Sequence, residues 1–292
     1  MVKAMKRFQK VKKASILGII GNLFLLIIKG IIGFITRSEA MIADAFNSAG
    51  DIVSSLMTYI GNKIASKPSD DDHNLGHGKA EYIYSMLVSI VIMFTAYIVY
   101  KDSIISLIKH SAVKFSPYLI IVCIITILVK LFLYLYTSKL GKEYHNLLLE
   151  ANSKDHRNDI FISILNLISS IFTLNHICFI DSIVGILIGT WILITGFKIF
   201  KESYNVLMDK CLSNELKDEV FKIINKHKEI KKVIHFNSTP VGYKYQISFT
   251  IYVDGNLTTF ESHKIADDLE KEIDKKIDEI YLTVIHVNPW EE

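Results

Sequence analysis

The sequence predicts a membrane protein of six spanning α-helices followed by a small water-facing α+β domain. Three observations carry that expectation. Half of the 292 residues are hydrophobic and only 22% are charged, with a mean hydropathy of +0.32, a balance that excludes an ordinary soluble domain. The apolar residues also come in blocks. Residues 82–100 hold no charged side chain over 19 positions and 160–180 none over 21, each matching the ~20 residues with which a helix crosses ~30 Å of hydrocarbon. The last 84 residues hold 12 Lys/Arg against 16 Asp/Glu and no comparable run, the mark of a separate domain in water. The expected division is 1–208 in the membrane, opening on a basic segment at 1–13, and 209–292 outside it.

Charge-poor windows set helices at about 14–36, 82–108, 115–137, 150–173 and 179–200. The remaining crossing is 38–66, SEAMIADAFNSAGDIVSSLMTYIGNKIAS, with Asp44, Asn47 and Asp51 near its middle. That segment is long enough to span and too polar to face lipid, so it is read as an interior helix. Residues 1–13 carry six basic and no acidic side chains. The apolar stretch after them exceeds a signal-peptide core and lacks a small-residue cleavage site, so it is read as a retained first span. Six crossings put both termini on one side. The loops at 67–80 and 138–148 share that side and carry Lys67, Lys79, Lys139 and Lys142, whereas the opposite loops carry little beyond Arg37 and Lys114. The positive-inside rule then places both termini in the cytoplasm of a multi-pass cell-membrane protein.

In the tail, Leu216, Val220 and Ile224 within 214–227, and Ile265, Leu269, Ile273 and Ile277 within 257–277, repeat at i+4 and predict two amphipathic helices. Ile247, Phe249, Ile251 and Val253 alternate as a half-buried strand does, and further strands are expected at 231–238 and 280–287. The order helix, strand, strand, helix, strand is that of a ferredoxin-like α+β layer. Cys123, Cys178 and Cys211 have no pair spacing and support neither a disulfide framework nor a thiolate metal site.

The chemistry is concentrated inside the membrane. At 100° per residue Asp44, Asn47 and Asp51 project within about 60° of one another. Asp155 and Asp159 share a second helical face while Arg157 points away from it. A lone carboxylate in the bilayer costs at least ~2.5–3.5 kcal/mol on insertion scales, so several at one depth imply water, partners or a bound cation. A divalent metal meets that need directly. The plainer alternative leaves Asp155 and Asp159 as a solvated helix start and pairs Asp44 and Asp51 with Lys29, which can also snorkel toward the interface.

SEAMIADAFNSAGD in the second span, DDDHNLGHGKAE after it, ANSKDHRND at the fifth and the α+β tail together resemble the cation diffusion facilitators, exporters of divalent transition metals in exchange for protons. The likeness covers nearly the whole chain. It implies a tetrahedral transport site of two ligands from the second helix and two from the fifth, at Asn47, Asp51, Asp155 and Asp159. Zinc members usually place His at one or both of the first positions; here they are Asn and Asp, and His156 projects ~100° off the pair's face. An all-oxygen set suits a hard ion such as Mn²⁺, while imidazole favours Zn²⁺, and the set resembles that of the manganese-exporting branch. The implied function is Mn²⁺ efflux against protons by alternating access. Mn²⁺ is then a transported substrate rather than a cofactor, and no enzymatic activity is expected, since no nucleophile or base stands beyond the proposed ligands. Alternatives kept open are efflux of Fe²⁺, Zn²⁺ or Cd²⁺, and a membrane metal sensor that does not transport.

The resemblance also implies secondary features. Asp70, His73 and His77 match a second ion site in some relatives. His235, His263 and His286 match part of a paired-metal site in the tail, although Phe249 and Asn288 stand where His and Asp would complete it. Asp44, a turn from Asn47, has either a role beside the ligands or a plain helix contact. Lys79 and Asp209 match a charged pair at the dimer hinge. The implied partners are a second copy of the chain, the lipid bilayer, divalent ions and protons, with no nucleic acid.

Overall fold

The computed structural model describes residues 2–36, 39–109, 117–172 and 179–290. Arg37, Lys114 and Cys178, on which parts of the sequence reading rest, lie outside them. Two compact units are present, Met1–Lys67 with Ala80–Tyr204, and Pro68–Lys79 with Asn205–Glu292. The loop at 68–79 therefore groups with the tail, where a single cut after residue 208 would not have put it.

The first unit is helical: α1 (Val2–Thr36), α2 (Glu39–Ala65), α3 (Ala80–Lys109), α4 (Pro117–Glu143), α5 (Leu147–Phe172) and α6 (Phe179–Leu207), whose last residues, 205–207, fall in the second unit. Each expected crossing is a helix in its place, and α1, α4 and α6 run on past the expected bound at one end. The basic residues of 1–13 form the first turns of α1, and α4 runs through most of the expected 138–148 loop, leaving only 144–146 before α5. Asn146 ends that turn by accepting the Leu149 amide on Oδ1 at 2.8 Å, a polar cap on orphan helix donors.

Burial runs opposite to a soluble protein. On α1 the large apolar residues Ile20, Phe24, Ile27 and Ile31 are exposed, whereas Ser15, Asn22 and Lys29, seven residues apart, are buried. Seven residues return nearly to the same face, so α1 turns a polar stripe inward and an apolar one outward, as hydrocarbon solvent requires. α1, α3 and α4 hold apolar stretches long enough to cross at Lys6–Ile35, Ala80–Ile105 and Ile120–Glu143. α2 is the interior helix its composition predicts: Ser48, Asp51, Ser54, Ser55, Thr58 and Asn62 are all buried, and α1, α3 and α5 pack against it, with α4 beside α1 and α5.

Small residues let α6 approach α3. A Cβ placed on Gly196 would fall 2.7 Å from Met93 Cγ and 3.2 Å from the Ser89 carbonyl, and one on Gly189 would meet the Tyr100 ring at 3.3 Å. Close backbone approach of this kind substitutes for the hydrophobic drive that lipid does not supply between helices.

The second unit folds as α7 (Asn214–Ile224), β1 (Lys232–Val241), β2 (Lys244–Asp254), α8 (Thr259–Lys276) and β3 (Ile280–Trp290), the order read from its periodicity. β2 is central, antiparallel to β1 and parallel to β3. The β1–β2 turn needs Gly242, whose φ of 63° is strained for a side chain. Ile247, Phe249, Ile251 and Val253 turn one face of β2 into a core with Val220, Ile223 and Ile224 of α7 and Ala266, Leu269 and Ile273 of α8. Thr258 and Glu261 form a reciprocal capping box at the start of α8.

Candidate functional site

The polar faces of α2 and α5 meet. Asp44, Asn47 and Asp51, at spacings of three and four, line one narrow cavity with Asp159 of α5, Lys29 of α1, and Thr126 and Lys130 of α4. The space is about 10 Å³, room for roughly one water-sized guest. Asp51, Asp155 and Asp159 are 6%, 3% and 5% exposed, which removes the solvated-helix-start alternative for the α5 pair.

Two buried lysines organise the carboxylates. Lys29 Nζ lies 3.0 Å from Asp44 Oδ2 and donates to Ser48 Oγ at 3.1 Å. Lys29 thus takes one of the two partners the plainer reading offered it. Asp51 has a different partner: Lys130 Nζ donates to Asp51 Oδ2 and to Asp159 Oδ2, each at 2.6 Å. Lys130 was missed by sequence, although a signal exists, because it is the single charge between residues 117 and 138 of an otherwise apolar helix. An ammonium at such a depth demands anionic partners.

The surroundings are rich in unspent polarity. Asp155 Oδ2, Thr126 Oγ1, Asn22 Oδ1, both ring nitrogens of His156 and the side-chain nitrogen of Asn158 are buried with no hydrogen-bond partner among the protein's own groups, so they are groups that ordered water or an ion would satisfy. Arg157 points away from the aspartates, as its position predicts: its guanidinium carbon lies 4.4 Å over the Trp191 ring, and Nη2 donates to Thr195 Oγ1 at 3.3 Å.

Among the described residues, one group of three or more His, Cys, Asp or Glu side chains brings its ligand atoms within 4.8 Å of one another, namely Asp70, His73 and His77. Asp51, Asp155 and Asp159 do not draw that close. In the 68–79 loop the His73 amide donates to Asp70 Oδ1 at 2.8 Å, His77 Nε2 lies 3.4 Å from Asp70 Oδ2, and the two imidazoles stand 4.3 Å apart. What desolvation the loop imposes on Asp70 would raise its carboxyl, but the side chain and amide of His73, with His77 beside them, hold it below the ordinary carboxylate range.

The tail histidines do not gather within one chain. His235 sits in the β1 bulge with a φ of 54°, His263 is exposed on α8 at 3.6 Å from Asp267, and His286 faces Thr250 across β3–β2. Lys79 Nζ does meet Asp209, 2.7 Å from Oδ1, with both side chains about half exposed.

The geometry is that of an inside-out helical bundle, a membrane protein with buried acids around a small polar cavity. Residues 15–208 match the cation efflux transmembrane domain, and residues 212–290 match the cytoplasmic domain of cation efflux proteins. The chain belongs to the cation efflux family, and is a cation efflux transporter. It is 30% identical to the manganese efflux system protein MneS of Bacillus subtilis, over 99% of this chain and all of that one. It is 28% identical to MneP of the same organism over 98% and 99%, and 26% identical to the magnetosome protein MamB of a Magnetospira species over 89% of each.

Proposed function

We propose that this transporter exports Mn²⁺ in exchange for protons, binding the ion through Asn47 and Asp51 of α2 and Asp155 and Asp159 of α5. The observation that carries the reading is that Asp51 and Asp159, from two helices, aim carboxylate oxygens at a common positive charge. A pair of acids that converges on one ammonium can converge on one metal ion. The donors are oxygen only, and without imidazole or thiolate the site loses more affinity for Zn²⁺ than for Mn²⁺. The two Bacillus relatives, named as manganese efflux proteins, support the same cargo, with Fe²⁺ its nearest competitor.

In this reading both termini are cytoplasmic, the chain works as a homodimer, and alternating access carries the ion from the cytoplasm to the far side, where protons compete for the carboxylates. Uptake of Mn²⁺ into inverted vesicles with an imposed pH gradient tests it. The wild type takes up Mn²⁺ and Asp51→Ala does not; equal fluxes remove the site assignment. Competition among Mn²⁺, Fe²⁺, Zn²⁺ and Cd²⁺ in the same vesicles fixes the cargo.

A further inference from the structure

We propose that Lys130 is a tethered competitor of the transported cation: its ammonium and the metal alternate on the carboxylates of Asp51 and Asp159, and this exchange sets the affinity of the site. The inference rests on the transport-site reading above.

Lys130 is 1% exposed, and its Nζ is 2.6 Å from one oxygen each of Asp51 and Asp159. Buried in the middle of α4, the ammonium has those contacts as its compensation for leaving solvent. The same oxygens belong to two of the four proposed ligands. Oxygen ligands of small divalent ions lie at roughly 2.0–2.2 Å. A metal at that distance from both acids would stand against the ammonium, and like charges at such separations repel by several kcal/mol even at an effective dielectric near 20. The two cations exclude each other.

A second place is available for the displaced ammonium. Thr126, one turn before Lys130 on α4, lines the same cavity, and its buried Oγ1 has no partner. Long helical side chains lean toward the preceding turn, and the flexible four-carbon stem of lysine allows a short swing.

A metal that must first displace an ammonium binds more weakly than the bare carboxylates would hold it, and it leaves more readily because the ammonium returns. Lys130 is therefore a positioning and affinity-setting residue that touches the ligands. Its neutral replacement separates binding from turnover, a split that a structural role does not produce.

The test uses the full-length chain in detergent and in inverted vesicles, with Mn²⁺ alone as probe, for wild type, Lys130→Met, Lys130→Gln and Asp51→Asn. Free Mn²⁺ is read by electron paramagnetic resonance. In Lys130→Met and Lys130→Gln the Kd and the transport KM fall by about tenfold or more, as for coupling energies of ordinary size, while the maximal rate falls; Asp51→Asn loses binding. An unchanged or weaker Kd in a folded Lys130 variant, with Asp51→Asn inactive, overturns the role of Lys130 alone. Binding by Asp51→Asn equal to wild type removes the site assignment and this inference with it. If neither Lys130 variant gives a monodisperse protein while Asp51→Asn does, Lys130 serves folding only and the proposal also fails.

Discussion

Arg7 Nη2 donates to Glu81 Oε2 at 2.6 Å, with the two side chains 4% and 2% exposed. The other oxygen of Glu81 accepts the Leu147 amide at 2.9 Å, and Arg7 Nε donates to the Tyr144 carbonyl at 3.0 Å. One ion pair thus joins the start of α1, the start of α3 and the α4–α5 turn. Removing one partner leaves the other charge buried, a loss of about 3–5 kcal/mol. Glu81→Ala is expected to lower the detergent melting temperature strongly, and the double variant Arg7→Met with Glu81→Leu to recover much of the loss. A double variant no better than Glu81→Ala would show that the pair is not the connection.

Metal choice should follow the ligand set. Asn47→His with Asp155→His places an imidazole on each helix, and nitrogen ligands raise affinity for Zn²⁺ more than for Mn²⁺. In vesicle competition the double variant is expected to shift preference from Mn²⁺ toward Zn²⁺. An unaltered metal profile would show that these positions do not set selectivity.

The elements were legible wherever a period or a run defines them. The alternation Ile247, Phe249, Ile251, Val253 is a strand with all four side chains in the core, and Ser48, Asp51, Ser54, Ser55, Thr58 and Asn62 of the polar second crossing do face inward. The i,i+4 pairs at Asn47/Asp51 and Asp155/Asp159 were visible for the same reason, since helix geometry alone puts each pair on one face. What periodicity does not encode is which charge meets which across helices. A single Lys130 barely changes the mean polarity of its window, so α4 read as apolar. Pairing Asp51 with Lys29 was as plausible in one dimension as the Lys130 contact that the bundle makes. The Arg7–Glu81 link spans 74 residues and has no local signature.

The capping box gives the tail a pH dependence. The Thr258 amide, then its hydroxyl, hold the Glu261 carboxyl below the ordinary glutamate range. A depressed folded value stabilises the fold fully above the unfolded value of about 4.3 and ceases to do so as pH falls through the folded one. The tail of the wild type should therefore melt above that of Glu261→Gln at pH 6, with the gap closing in more acidic buffer. A gap independent of pH would rule out the ionised cap. Thr258→Ala removes the reciprocal acceptor and costs about 1 kcal/mol.

The loop cluster predicts a second ion on this chain. Asp70, His73 and His77 offer one oxygen and two nitrogens within 4.8 Å of one another, a donor mixture suited to Zn²⁺ as well as Mn²⁺, and Asp70 is held in its charged form. Its ligands lie outside the helical bundle, so they can be removed without touching Asp51. His73→Ala with His77→Ala is expected to reduce Zn²⁺ bound per chain by one equivalent in equilibrium dialysis, while Asp51-dependent Mn²⁺ flux persists in inverted vesicles. Asp51→Ala should do the opposite, losing the flux and keeping the loop equivalent. Unchanged Zn²⁺ stoichiometry in the histidine variant would leave the cluster as a hydrogen-bonded turn, in which Asp70 orders His73 and nothing is coordinated.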